Sequence, residues 1–147
     1  MVNTYGRPSA VARIKGDRSN PMLQGLVHFY QRIGGVLVVA EISGLPNNQD
    51  GFFGFHIHDG SSCMGERFQA TGNHFDRRQN MHPKHAGDLP PLLSYNGRAY
   101  MAVITDRFSI REIMGRTVVI HGSADDFHTQ PSGNAGEKIA CGVITRR

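Results

Sequence analysis

Apolar and polar positions alternate through most of this chain. In SAVARIKG, Ala10, Ala12 and Ile14 fall on one side of an extended segment, and Val11, Arg13 and Lys15 fall on the other. That is the period of a strand with one buried face. QGLVHFYQ and GVLVVAEISG are rich in branched and aromatic residues and are bounded by Gly, Pro or Asn, as strands are. FFGFHIH reads as another strand. AYMAVITD and GRTVVIHG continue the theme after residue 98, and KIACGVIT closes the chain. Helical spacing is weak everywhere, so RFSIREIMG is at most a short turn or one more edge. The pattern predicts seven or eight short, mostly antiparallel strands in an all-β sandwich or flattened barrel.

Two stretches break the rhythm. Residues 59–97 hold little alternation and much Gly, His, Asp and Pro. Residues 122–137, GSADDFHTQPSGNAGE, are also loop-like. A loop of about forty residues is unusual in a compact domain and tends to be either functional or disordered. The density of histidines and acids in this one favours function. No repeat or boundary divides the sequence, so residues 1–147 read as one domain, long enough to bury a core.

Composition narrows the partners. No apolar run approaches the ~20 residues of a membrane helix, so no membrane partner is expected. The N-terminal MVNTYGRPSAVARIKG lacks the apolar region of a signal peptide. The expectation is either an intracellular protein or a sequence that starts after a removed signal. The net charge is +4, but the basic residues are scattered apart from DRRQ and the final TRR. A nucleic-acid binder would show a dense stripe with interleaved aromatics, so none is expected as a partner. A mild positive balance suits a small anionic substrate, because a positive field raises encounter rates.

The candidate chemistry lies in the histidines. Five of the eight fall between residues 56 and 85. On a strand, His56 and His58 point to the same face and can converge on one ion. They can equally be two half-buried rings satisfied by backbone. HFDRRQNMHPKHAGD adds His74, His82, His85 and Asp88. Three histidines and one carboxylate make a closed set of the kind structural zinc takes, unless the segment is a solvated polar loop. An all-imidazole set, from His56, His58 and further histidines, suits copper. His121 ends the strand TVVIH at a strand-to-loop edge. Cys63 and Cys141, the two cysteines, are either separate buried thiols or one disulfide. Such a bridge would contribute up to roughly 4.5 kcal/mol by loop-closure entropy.

GFHIHD…C, GNHFD, HAGDLP, VVIHGSADD and GNAGEKIACGVI together resemble the copper/zinc superoxide dismutases, and most closely the bacterial members. Five motifs in the family's order are specific where one would not be. The resemblance implies a Greek-key β-sandwich or flattened eight-stranded barrel with two long functional loops. It implies copper held by His56, His58, His74 and His121, and zinc held by His74, His82, His85 and Asp88, with His74 bridging both. Asp125 corresponds to the carboxylate that accepts hydrogen bonds from His56 and His82. Cys63 and Cys141 correspond to the family's disulfide. The implied activity is dismutation of superoxide to oxygen and hydrogen peroxide by a redox-cycling copper bridged through His74 to a structural zinc, with His74 also carrying a proton. The family often forms two-fold dimers, which leaves a homodimer open, although strand patterns identify no interface. The bacterial likeness and the disulfide favour export, periplasmic or extracellular, over the cytoplasm.

The sequence departs from the family in three places. Lys138 stands where the family usually has an arginine beside copper. It keeps the positive charge for superoxide but loses the planar fork, so activity is expected to persist and fall. Only two residues separate His82 from His85. His128 has no counterpart and reads as a solvated loop residue. The lysine is the best support for an alternative: a non-catalytic, zinc-stabilised or copper-storing member of the same fold. The complete set of four copper-type histidines argues against it.

Overall fold

A computed structural model describes residues 5–147; the N-terminal reading above rests partly on residues 1–4, which lie outside that range. The strands are β1 (Ala10–Gly16), β2 (Gln24–Arg32), β3 (Gly35–Ser43), β4 (Phe52–Phe53), β5 (Phe55–His58), β6 (Leu92–Leu93), β7 (Ala99–Thr105), β8 (Thr117–His121) and β9 (Lys138–Arg146). Seven form one antiparallel sheet in the order β5-β8-β9-β1-β2-β3-β7, and β4 pairs with β6 in a separate ribbon. Phe55 and Ile57 from one edge of the sheet share one apolar cluster with Val36 and Val38 of β3 and Ala99 of β7 at the other. A flat sheet could not bring both edges into one core. The sheet is therefore curled, as the sandwich or flattened barrel predicted.

The alternation decides which faces are buried. Ala10, Ala12 and Ile14 of β1 are buried, whereas Arg13 and Lys15 are exposed. FFGFHIH is two strands rather than one. Its break falls at Gly54, whose N–H donates to Ser123 O and whose carbonyl accepts from His121 N. A Cβ at Gly54 would lie 2.7 Å from Ala135 Cβ, so the close approach of residues 122–137 requires glycine there. RFSIREIMG forms a single helical turn, α1 (Ile110–Ile113). Ser109 Oγ accepts from Glu112 N at 3.2 Å, and Ser109 N donates to Glu112 Oε1 at 3.0 Å, a reciprocal cap.

The long loop after β5 is not structureless. It carries a short 3-10 helix, Glu66–Thr71, and its backbone runs along the outer edge of β5. Phe75 N donates to Ile57 O, and Ile57 N donates to Gly87 O. The Cys63–Cys141 disulfide ties the same loop to β9.

Candidate metal centre

Backbone pairing assembles the site. His56 and His58 share one face of β5 and Phe55 and Ile57 the other, and all four are buried, so the strand is covered on both faces. Isolated bridges set Asp88 opposite His56 and His74 opposite His58. His121 ends β8 at a register shift against β9, the kind of irregularity that re-aims a side chain. His82 is held by Gln130 of the other loop. The Gln130 amide accepts from His82 N at 2.9 Å and donates to His82 O at 2.7 Å.

Two groups of donor atoms result. The ligand atoms of His56, His58, His74 and His121 all lie within 4.8 Å of one another. So do those of His56, His74, His82 and Asp88. His85 reaches the second group through Nδ1, 3.0 Å from Asp88 Oδ2. His56 and His74 belong to both groups. His128 stands apart on the surface, its side chain 79% exposed, and His28 is half-buried in β2.

The ring protons can be assigned from their partners. Asp125 accepts from His56 Nε2 and from His82 Nε2, each at 2.7 Å. Each neutral ring then has a bare Nδ1. His58 Nδ1 donates to Gly72 O at 2.9 Å and His121 Nδ1 to Gly136 O at 3.2 Å. That leaves two bare Nε2 atoms facing each other at 3.3 Å. Bare His82 Nδ1 lies 3.1 Å from Asp88 Oδ2. His56 Nδ1, His74 Nε2, His82 Nδ1 and His85 Nδ1 are buried without a hydrogen-bond partner. Each such buried orphan costs about 1–3 kcal/mol. Acceptors facing acceptors in a dry pocket call for cations at their centres. The four-imidazole group suits copper and the nitrogen-plus-carboxylate group suits zinc.

The electrostatics keep the rings available. Burial, with help from the neighbouring histidines, holds His58 well below its ordinary range and brings His121 down to about 3. Both are therefore neutral, lone pair free, at neutral pH. Burial alone would raise Asp125. The hydrogen bonds from His56, His82 and Phe127 N outweigh it and keep the carboxylate ionised. The same competition lowers Asp88, where the hydrogen bond with His74 leads against burial.

The profile of the family described as copper/zinc superoxide dismutase (SODC) matches residues 23–144. The chain belongs to the copper/zinc superoxide dismutase family. A superoxide dismutase [Cu-Zn] of Legionella pneumophila is 33% identical over 131 residues, covering 84% of this chain and 79% of the relative. Superoxide dismutase [Cu-Zn] 3 of Arabidopsis thaliana is 34% identical over 157 residues, covering 95% and 91%. The crystal structure of a double mutant of a SOD-like protein from Bacillus subtilis superposes with a TM-score of 0.79 at 26% identity, covering 92% of this chain and 96% of that one. This superoxide dismutase is an oxidoreductase that converts superoxide to oxygen and hydrogen peroxide, with copper and zinc as cofactors. Two of its site-supporting residues were not foreseen from sequence. Gln130 acts across 48 residues and Thr71 across 67, so no local pattern marks either.

Proposed function

We propose that His56, His58, His74 and His121 hold copper, that His74, His82, His85 and Asp88 hold zinc, and that His74 joins the two. The carrying observation is the set of bare, buried ring nitrogens turned on one another and on Asp88. When bound, copper supplies a one-electron couple that superoxide can reduce and then reoxidise, while zinc keeps one oxidation state. The rest is the work of the chain. Gly72 O and Gly136 O hold the Nδ1–H of His58 and His121, which keeps each Nε2 bare. Asp125 fixes the tautomers of His56 and His82 together, so one carboxylate orients both clusters. His74, with one nitrogen toward each cluster, carries a proton at Nε2 during turnover. Lys138 sits opposite His121 in the β8–β9 ladder and supplies positive charge to the approaching superoxide.

The reading extends to context. Residues 1–147 form one domain. Export is supported by the disulfide and by bacterial relatives. Superoxide is the partner rather than nucleic acid or a membrane, as the scattered basic residues suggest. A two-fold homodimer follows from the family likeness alone and is read by sedimentation velocity.

The test compares superoxide decay with protein loaded with copper and zinc, with zinc alone, and with His74→Ala carrying both metals. Fast, copper-dependent decay that His74→Ala lowers supports the assignment. Copper bound at the site with no decay would turn the reading to a storage protein.

A further inference from the structure

Lys138 is the first residue of β9, and its ammonium is held at two points. Nζ donates to Thr71 Oγ1 at 2.8 Å and to Gly72 O at 3.1 Å. The same Gly72 oxygen accepts from His58 Nδ1 at 2.9 Å. One carbonyl thus joins the lysine to a ring of the four-histidine cluster. Thr71 is fully buried, and its hydroxyl proton is committed, because Oγ1 donates to Phe68 O at 2.8 Å. Only the lone pairs of Oγ1 remain, and Lys138 takes one. The Phe68 carbonyl is presented by a turn in which Arg67 and Phe68 both have left-handed backbones, φ 54° and 57°. Such angles are uncommon outside glycine. The backbone is held in an unusual shape where it orients this hydroxyl.

A lysine ammonium has three donors and no fixed plane, and it ends a flexible stem. Held by one acceptor it sweeps an arc. Held by two it has a place, with one N–H left over. We infer that Thr71 is a positioning residue that, with Gly72 O, fixes the Lys138 ammonium and reserves its third N–H for superoxide, supplying the rigidity that an arginine would bring in its own fork. This inference rests on the reading of Lys138 as the cation that meets superoxide. The charge of Lys138 also bears on His58 and His121, lowering both, which places it within electrostatic reach of that cluster.

The experiment uses protein loaded with copper and zinc and reads two quantities. One is azide affinity, followed in the visible absorption of copper. The other is the second-order superoxide rate at low ionic strength. Thr71→Val keeps the shape and deletes the hydroxyl. Both quantities are expected to fall together, roughly fivefold, the net scale of one lost hydrogen bond when water can take part of its place. Thr71→Ser restores both. In a Lys138→Arg background, Thr71→Val costs less than half as much. Thr71→Ala carries the comparison if the valine variant does not fold. No change on losing the hydroxyl overturns the inference. So does an equal loss in the arginine background or a failure of serine to restore, either of which makes Thr71 a packing residue. Lys138→Met tests the underlying reading separately. If it leaves azide affinity and rate unchanged, Lys138 does not meet the anion. If it lowers both while Thr71→Val does not, the lysine keeps its role and the inference about Thr71 alone fails.

Discussion

Replacing Asp125 by asparagine tests the site at a carboxylate that touches a ring of each cluster. The carboxylate accepts three hydrogen bonds: from His56 Nε2 and His82 Nε2 at 2.7 Å each, and from Phe127 N at 2.8 Å. Its side chain is 1% exposed, so water cannot replace a lost partner. Asparagine keeps one oxygen. That oxygen stays at the Oδ1 position, which accepts from both His82 Nε2 and Phe127 N, so the amide nitrogen meets the His56 Nε2–H, donor against donor. That ring escapes by swinging away or by moving its proton to Nδ1, the atom that should stay bare. His82 keeps its acceptor and its Gln130 clamp, whereas His56, fixed in the β5 ladder, loses its only partner on Asp125. The metal-free protein is expected to lose about 1.5–3 kcal/mol, the range for one hydrogen bond to a charged group. Metal affinity is expected to fall about 10–100-fold, as for other orienting partners of metal-bound histidines, with copper affected more than zinc. Chelator competition for each metal, with denaturant unfolding of the metal-free variant, measures all three. Affinities within twofold of the parent for both metals would refute the argument that one carboxylate sets both tautomers.

Three further outcomes follow from the same geometry. The metal-free, disulfide-intact protein should lose stability as pH falls below about 6.5, because burial lowers His56, His58 and His121 in the folded state while the unfolded rings protonate at their ordinary values. The loss continues down to about 3, where His121 finally titrates, and Asp125 adds a loss of the same sign below its ordinary value of 3.8; a melting temperature flat between pH 7 and 4 contradicts it. Reducing the Cys63–Cys141 bridge, which spans 78 residues, should cost up to about 4.5 kcal/mol, read as the shift between oxidised and reduced urea transitions. Gln130→Ala leaves both backbone groups of His82 without their side-chain partner and should weaken zinc while sparing copper, as read by competitive chelation of each metal in turn.

What the sequence made legible was local or chemically loud. His56 and His58 are two apart, and a period of two is a geometric fact about strands. The two clusters were legible because imidazole and carboxylate at short spacing have few structural uses. The break in FFGFHIH was not legible, because Gly54 is dictated by Ala135, which packs against it from a distant loop. The turn α1 is too short for a 3.6-residue period to register, although Ser109 and Glu112 carry the spacing of a reciprocal cap. Thr71 and Gln130 could not be read at all. A buried hydroxyl and a loop amide gain their meaning from atoms that only the folded chain brings near.

The loop that carries His74 and Asp88 also occupies the free side of β5, the terminal strand of the main sheet. Without it, FHIH would present a short row of open peptide groups to other molecules, the kind of rim on which chains stack. Ile57 is engaged on that side by Phe75 and Gly87. The segment that gathers the metals is therefore also a guard against self-association. Loosening it by metal loss would uncover a sticky border while the remaining strands stay folded, so colloidal behaviour should respond to metal content sooner than secondary structure does.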